Sequence, residues 1–271
     1  MSAAEILGKP LCALAFCWRL ERRDGVTIGL TSHDRALTID GLIYAATPGI
    51  TPSAILRGGG EQELTELLGA ISSAAISEAD LDAGRWDEAM LLLHLTEWTD
   101  PGVLWVELAR GELGGIERSG AAYSVGLRSG LANVLERAVA PVTSATCRAA
   151  LGDRDCRVDL RRHQRIVPAS EVADEAVLCA GLVAGRYPFG RLRWLEGPNC
   201  GLVQQIVDQD GDTLFLSEPP AFPVTPGTRA LLTEGCDKRL ATCAGRFGNA
   251  VNFRGEPHLP GMGLLTRYPG S

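Results

Sequence analysis

Positive charge is in short supply in this chain. Its 26 Lys and Arg face 33 Asp and Glu, which leaves a net charge of −7 and an isoelectric point of about 5.2. Sequence-independent binding of nucleic acid draws on clustered Lys and Arg, so the composition argues against that class of function. An acidic surface suits a protein that stands close to DNA without holding it. Long apolar runs are missing as well. The stretch from Leu11 to Trp18 is far too short to span a bilayer and reads as a strand. It does not fit a signal-peptide core either, because Arg19, Arg22 and Arg23 follow it, where a signal peptide needs them in front. No membrane segment is expected, and synthesis in a bacterial cytoplasm without an export signal is.

The usual chemical motifs are also absent. Gly58-Gly59-Gly60 is not followed by Gly-Lys-Ser/Thr, so it reads as a turn and not as a phosphate loop. There is no G-x-S-x-G and no H-E-x-x-H, and the four histidines are scattered. No cysteine opens a helix beside a strand in the way a Cys–His hydrolase would need. The chain is read as not an enzyme.

The composition is that of a folded protein, with 45% hydrophobic and 22% charged residues. Its 32 glycines and 15 prolines favour turn-rich β structure, and 271 residues are enough for two domains. The N-terminal part, 1–140, reads as a β-rich domain. Val26, Ile28 and Leu30 alternate after the Asp24-Gly25 turn, and Asp40-Gly41 turns between Leu37/Ile39 and Leu42/Tyr44. A short helical insertion starts at the cap Ser77-Glu78-Ala79-Asp80 and stops near Gly84. Strands are expected over Met90–Trp98, Val103–Leu108 and Tyr123–Leu127, and a helix over Leu131–Val139. In 141–271, five short strands between about 166 and 233 suggest a small closed barrel: Val177–Val183, Leu192–Leu195, Leu202–Val207, Thr213–Ser217 and Arg229–Leu232. The fold class is therefore mainly β.

Eight cysteines without an export signal point to reduced thiols, and so to metal binding before disulfides. Cys147 and Cys156 are nine positions apart, and Cys236 and Cys243 are seven apart. Cys156 and Cys236 bracket the barrel, so a metal joining the two pairs would close a loop of 80 positions. By analogy with a covalent cross-link, that closure is worth about 4 kcal/mol. Structural zinc usually takes thiols from tight knuckles, and no C-x-x-C occurs here. A [4Fe–4S] cube is wider and suits longer ligand loops, and its net charge of about −2 with four thiolates suits the nearby Arg148, Arg154, Arg157, Lys238, Arg239, Arg246 and Arg254. Spacing alone favours the cube slightly and leaves zinc open. Cys12 and Cys17 read as strand residues on opposite faces, Cys179 as a core residue and Cys200 as a turn residue.

Gly235-Cys236-Asp237-Lys238, Cys243, Arg246-Phe247-Gly248-Asn249, Asn252-Phe253-Arg254-Gly255 and Pro257-His258-Leu259-Pro260-Gly261 closely resemble the C-terminal signature of the DUF2163/phage BR0599 family. Cys147, Leu151-Gly152-Asp153 and Cys156 match the upstream half of that signature, and Pro188-Phe189-Gly190 looks like a barrel position. The family comprises baseplate (tail-tip) hub proteins of siphophage-like particles, including gene transfer agents. The cysteine pattern is also similar to that of the related tail-tip hub of lambda-like phages, which carries an iron–sulfur cluster. The resemblance thus implies a [4Fe–4S] cluster on Cys147, Cys156, Cys236 and Cys243. It further implies a homotrimeric ring at the tail tip, between the distal tail protein and a megatron-like tip or fibre protein, with a tail peptidase as a further neighbour. DNA would pass through the ring without specific binding. Two other readings stay open: a redox-active or sensing iron–sulfur protein, and a zinc-stabilised assembly protein.

Overall fold

The computed structural model describes residues 3–47, 65–69, 76–119, 122–128 and 142–258. The chain divides into two compact units, Met1–Val139 and Ala140–Ser271. The expected helix over 131–139 and the triple-glycine turn lie outside the described residues. Each unit is built on one antiparallel-rich curled sheet, and the helices among the described residues are short.

In the first unit a helix α1 (Ala3–Leu7) precedes β1 (Leu14–Glu21), β2 (Thr27–Thr31), β3 (Leu37–Ile39), β4 (Leu42–Ala46) and β5 (Thr65–Gly69). Helix α2 (Glu78–Asp82) follows, and then β6 (Met90–Glu97), β7 (Trp105–Ser119) and β8 (Ala122–Arg128). The strand order is β3-β4-β2-β1-β6-β7-β8-β5, and β2–β4 is its parallel pair. Strand β1 is central and buried on both faces, as strict alternation allows. Trp18 and Leu20 lie opposite Leu93 and Leu91 of β6 and pack with Leu30, Leu81 and Trp86. Burying each of those leucines is worth about 1.5–3 kcal/mol. On the other face Ala15 and Cys17 pack with Leu37, Ile39 and Tyr44. Ser77 caps α2 as expected, accepting the Asp80 N–H at 3.1 Å.

Two local expectations need correction. Cys12 is not on a strand; it precedes β1, and its thiol donates to the carbonyls of Ile6 at 3.3 Å and Lys9 at 3.4 Å. The apolar run there includes Leu11, which is 89% exposed, so hydrophobicity alone did not mark the strand's start. Strand β7 runs well past Leu108 because its second half pairs with β8.

The second unit contains β9 (Gln164–Pro168), β10 (Glu171–Ala173), β11 (Ala176–Leu178), β12 (Arg191–Trp194), β13 (Val203–Asp210), β14 (Thr213–Leu216) and β15 (Arg229–Thr233). All five expected strands are present, and β9 and β10 are additional. Strand β11 stops before Val183 because the Asp212 carboxylate takes the N–H groups of Gly181 (3.1 Å) and Leu182 (2.8 Å), which turns the chain. The order β10-β11-β14-β13-β12-β15-β9 places β9 and β10 at opposite edges, yet only Ala169 and Ser170 separate them in sequence. The Ala169 N–H donates to Thr228 at 2.9 Å, and the Ser170 N–H donates to Leu178 at 2.8 Å. One segment therefore serves both edges, and the sheet curls around a core of Val167, Val177, Leu192, Trp194, Ile206 and Leu232. Inside it, Trp194 Nε1 donates to Gln204 Oε1 at 2.9 Å, and Gln204 Nε2 donates to the Glu218 carbonyl at 2.8 Å. Cys179 is fully buried in this core.

Among the described residues of the first unit, the buried ring nitrogens Trp18 Nε1, Trp86 Nε1 and His94 Nδ1 make no hydrogen bond. His94 is 7% exposed and stacks on Trp105 with centroids 4.2 Å apart, and its Nδ1 makes no hydrogen bond. Burial holds this imidazole below its ordinary 6.5, so the fold favours the neutral ring. The contribution is complete above the unfolded value and declines as pH falls through it. We expect His94→Phe to keep the stack, to raise unfolding stability by about 1 kcal/mol at neutral pH, and to flatten the loss of stability between pH 7 and 5. Urea unfolding across that range measures both effects.

Candidate metal centre

The four cysteines of the two pairs lie in the second unit, on two loops fixed by backbone contacts. Where the chain leaves β15 it must pass the Pro188-Phe189-Gly190 turn. At Gly235 a Cβ atom would stand 1.7 Å from the Pro188 carbonyl oxygen, so only glycine fits. The Gly235 N–H donates to Arg186 O at 2.9 Å, and the Arg246 guanidinium donates to Gly235 O at 3.0 Å. Cys236 is thereby set at a fixed exit from the barrel. Asp237 then accepts the Arg239 N–H at 3.0 Å and the Thr242 hydroxyl at 2.8 Å, shaping the entry to α3 (Leu240–Gly245), which carries Cys243 on its buried side.

The upstream loop is organised by Asp153. Its carboxylate accepts the N–H groups of Ala150, Asp155 and Cys156 at 2.7, 2.9 and 2.6 Å, curling the chain between Cys147 and Cys156. The two loops are then joined. The Cys147 N–H donates to Lys238 O at 2.8 Å, and the Lys238 ammonium reaches back to Ala149 O. Asn249 spans the pairs: its side-chain amide donates to Cys156 O at 2.6 Å, and its backbone N–H donates to Cys243 O at 2.9 Å. The tail closes the ring of contacts, with Arg148 N–H donating to Arg254 O at 2.9 Å and Arg148 forked onto Glu256 at 2.7 and 2.8 Å. Gly255 is required here too, since a Cβ would stand 2.6 Å from Thr146 O.

These contacts gather the four thiols. Burial pushes the Cys243 thiol up, and its neighbours Cys236, Cys147 and Cys156 each push it the same way, so all three lie within electrostatic reach of Cys243. Cys236 is also pushed up by burial, against the backbone N–H and ammonium of Lys238. Cys236 and Cys243 therefore hold their protons more firmly than free thiols do. The site also offers donors to sulfur: Arg254 N–H lies 3.4 Å from Cys147 Sγ, and Asn249 Nδ2 lies 3.7 Å from Cys156 Sγ. Among the described residues no three His, Cys, Asp or Glu side chains are close enough to share a single metal ion. The candidate donor set is soft and cysteine-only, and it is fringed by N–H groups.

The remaining sequence candidates lie elsewhere. Cys17 and Cys179 are buried in their sheets' cores, and Cys200 is exposed in a turn with its thiol 3.2 Å from Leu195 O. Of the nearby cations, Arg148 and Lys238 act electrostatically on Cys147 and Cys236. Sequence reasoning did not assign roles to Asp153, Asn249 and Glu256. The available signal was their type: short side chains that bind backbone, set three before or six after a cysteine, and an acid two beyond an arginine. The fork from Arg148, together with the Ser144 N–H, holds the Glu256 carboxyl down to about 2 from its ordinary 4.5. The clip is complete above the ordinary value and is lost as pH falls toward about 2. We expect the protection factors of the Ser144 and Arg148 amides to fall over that interval, and Glu256→Gln to show the lower protection already at pH 7.

Residues 2–159 match the family described as baseplate hub protein, N-terminal attachment domain, and residues 185–262 match the phage conserved hypothetical protein BR0599 family. No curated protein matches the sequence significantly. A chain in the solved structure titled "Virion of native gene transfer agent (GTA) particle" is 34% identical, with a TM-score of 0.86 over 100% of this chain and 97% of that one. No helix among the described residues is long and apolar enough to cross a membrane. With more than half of its length matched to one family and its whole fold matched to a virion component, the chain belongs to the baseplate hub proteins of phage-like tails.

Proposed function

We propose that this chain is a structural subunit of the tail hub whose four thiols, Cys147, Cys156, Cys236 and Cys243, hold a [4Fe–4S] cluster as an internal staple. The observation that carries the reading is the convergence of Cys236, Cys147 and Cys156 on Cys243. Bound there, the cluster supplies covalent Fe–S links between two loops separated by a whole barrel. The chain's own residues do the rest. Asp153 and Asp237 curl the loops, Lys238 and Asn249 join them, and N–H groups of Arg254 and Asn249 face the sulfurs. A single zinc ion is the second reading. Zn–S bonds of about 2.3 Å would bring the four sulfurs to about 3.8 Å from one another.

The likeness to a gene transfer agent virion chain over the full length supports a place in a tail of that kind. In this reading three copies form a ring at the tail tip, between the distal tail protein and a megatron-like tip or fibre protein, with a tail peptidase nearby. The ring surrounds the channel for DNA, and its role is structural and not enzymatic. The net charge of −7 supports a wall that lets DNA slide past.

Metal analysis of anaerobically purified protein tests the cofactor. We expect a broad absorption band at about 400 nm and about four irons and four sulfides per chain; one zinc and no colour would replace the cluster with the second reading. Cys236→Ser should lose the iron and open residues beyond about 140 to limited proteolysis, leaving the N-terminal unit resistant. Cys179→Ala, in the barrel core, should keep full iron content, and a stoichiometric loss there would mean that the ligand set is wrong.

A further inference from the structure

The outward-facing residues of the barrel sort into two faces of opposite charge. On strands β12, β13 and β15 and on β9, one cross-strand row holds Val203, Arg193, Leu231 and Ile166, and the next centres on Arg191. Arg191 and Arg193 are exposed, and no carboxylate among the described residues pairs with either. Val203 and Ile166 are 51% and 56% exposed. Arg191, Arg193, Val203 and Leu231 line a groove of about 530 Å³ whose other walls include Leu151 of the cysteine loop, Leu160 beyond it, and Phe189. The carboxylates beside the groove are committed: Glu234 to His163 and Arg186, and Asp237 to Arg239 and Thr242.

The second face lies past the bulge at Val207, on β10, β11, β14 and the far half of β13. Its rows carry Asp208 and Phe215, then Glu171, Leu178 and Asp210. Among the described residues these three carboxylates make no ion pair, and Phe215 and Leu178 are 39% and 36% exposed. Asp208 and Asp210 are two residues apart on one strand, as are Arg191 and Arg193, so each pair presents its charges about 6.7 Å apart. Each face thus sets a pair of charges of matching spacing and opposite sign within exposed apolar side chains.

We propose that the basic face of the barrel docks the acidic face of a second copy of this chain, with Arg191 and Arg193 bonding Asp208 and Asp210. Two guanidiniums bind two carboxylates with directional, charge-assisted hydrogen bonds, and the apolar residues around them are covered in the same contact. The two faces differ, so the contact is head-to-tail, and successive copies close into a ring or extend in a line. The assignment specifies the surface used by the multimeric hub reading above, and does not depend on which metal the cysteines hold.

Charge swapping tests it on the full-length, metal-loaded chain by sedimentation equilibrium. The native chain should self-associate, more weakly as salt rises. Arg191→Glu with Arg193→Glu should weaken association at least about tenfold, and Asp208→Arg with Asp210→Arg should do the same. An equimolar mixture of the two variants offers both the native pair of faces and the reversed pair, so it should associate again where each variant alone does not. A chain carrying all four substitutions should recover association. A native chain that stays monomeric at high concentration overturns the proposal, as does association that ignores both reversals. Either result leaves the cluster reading untouched, because iron content is read separately in the same samples.

Discussion

At Gly235 backbone packs directly on backbone, and the geometry of the cysteine centre depends on that crossing. A side chain there would collide with the Pro188 carbonyl, so the strand leaving the barrel can lie against the 188–190 turn only as glycine. This contact fixes where Cys236 emerges, and through Asp237 and Lys238 it fixes where α3 begins and where the upstream loop is gripped. The thiols are therefore positioned by main-chain hydrogen bonds and carboxylate caps, and little by side-chain packing. Such a frame holds its shape at the edge of a barrel, where few apolar contacts are available.

The same frame explains why so many residues of the C-terminal signature are small, polar or charged. Asp153, Asn249, Arg246, Arg148 and Glu256 each take up backbone groups or one another and so spare the loops unsatisfied donors and acceptors. Within the centre, burial and crowding both oppose ionisation of Cys243. In the proposed reading, a cluster bonded to the sulfurs would remove that conflict and add a further link between the loops. In a hub subunit, a staple of this kind would stiffen the barrel unit against the load of a tail assembly.

Much of the fold was legible in the sequence because strands and turns are short-range features. The alternation of Val26, Ile28 and Leu30, the Asp40-Gly41 turn, the Ser77 cap and the five barrel strands follow from neighbouring side chains and local backbone preference. The boundaries that moved were those set by distant partners. Strand β7 is long because β8 lies beside it, and β11 is short because Asp212 takes the next two N–H groups. Helix α3, which carries Cys243, was not expected, since its six residues have no periodic pattern long enough to read.

For the site, the sequence by itself determined which thiols form pairs, that they bracket a barrel, and that the flanking residues resemble a hub signature. It could not place the two pairs together, because the stretch from Cys156 to Cys236 forms a curled sheet whose strand pairing is a long-range event. Only the tertiary structure decided that Ala169 and Ser170 carry one segment from one edge of the sheet to the other. The same closure brings the 147–156 loop to Lys238 and Asn249 and divides the barrel's outer charges into two faces. The physical reason is that alternation assigns each side chain to the inside or outside of its own strand, whereas pairing between strands decides which outward residues become neighbours.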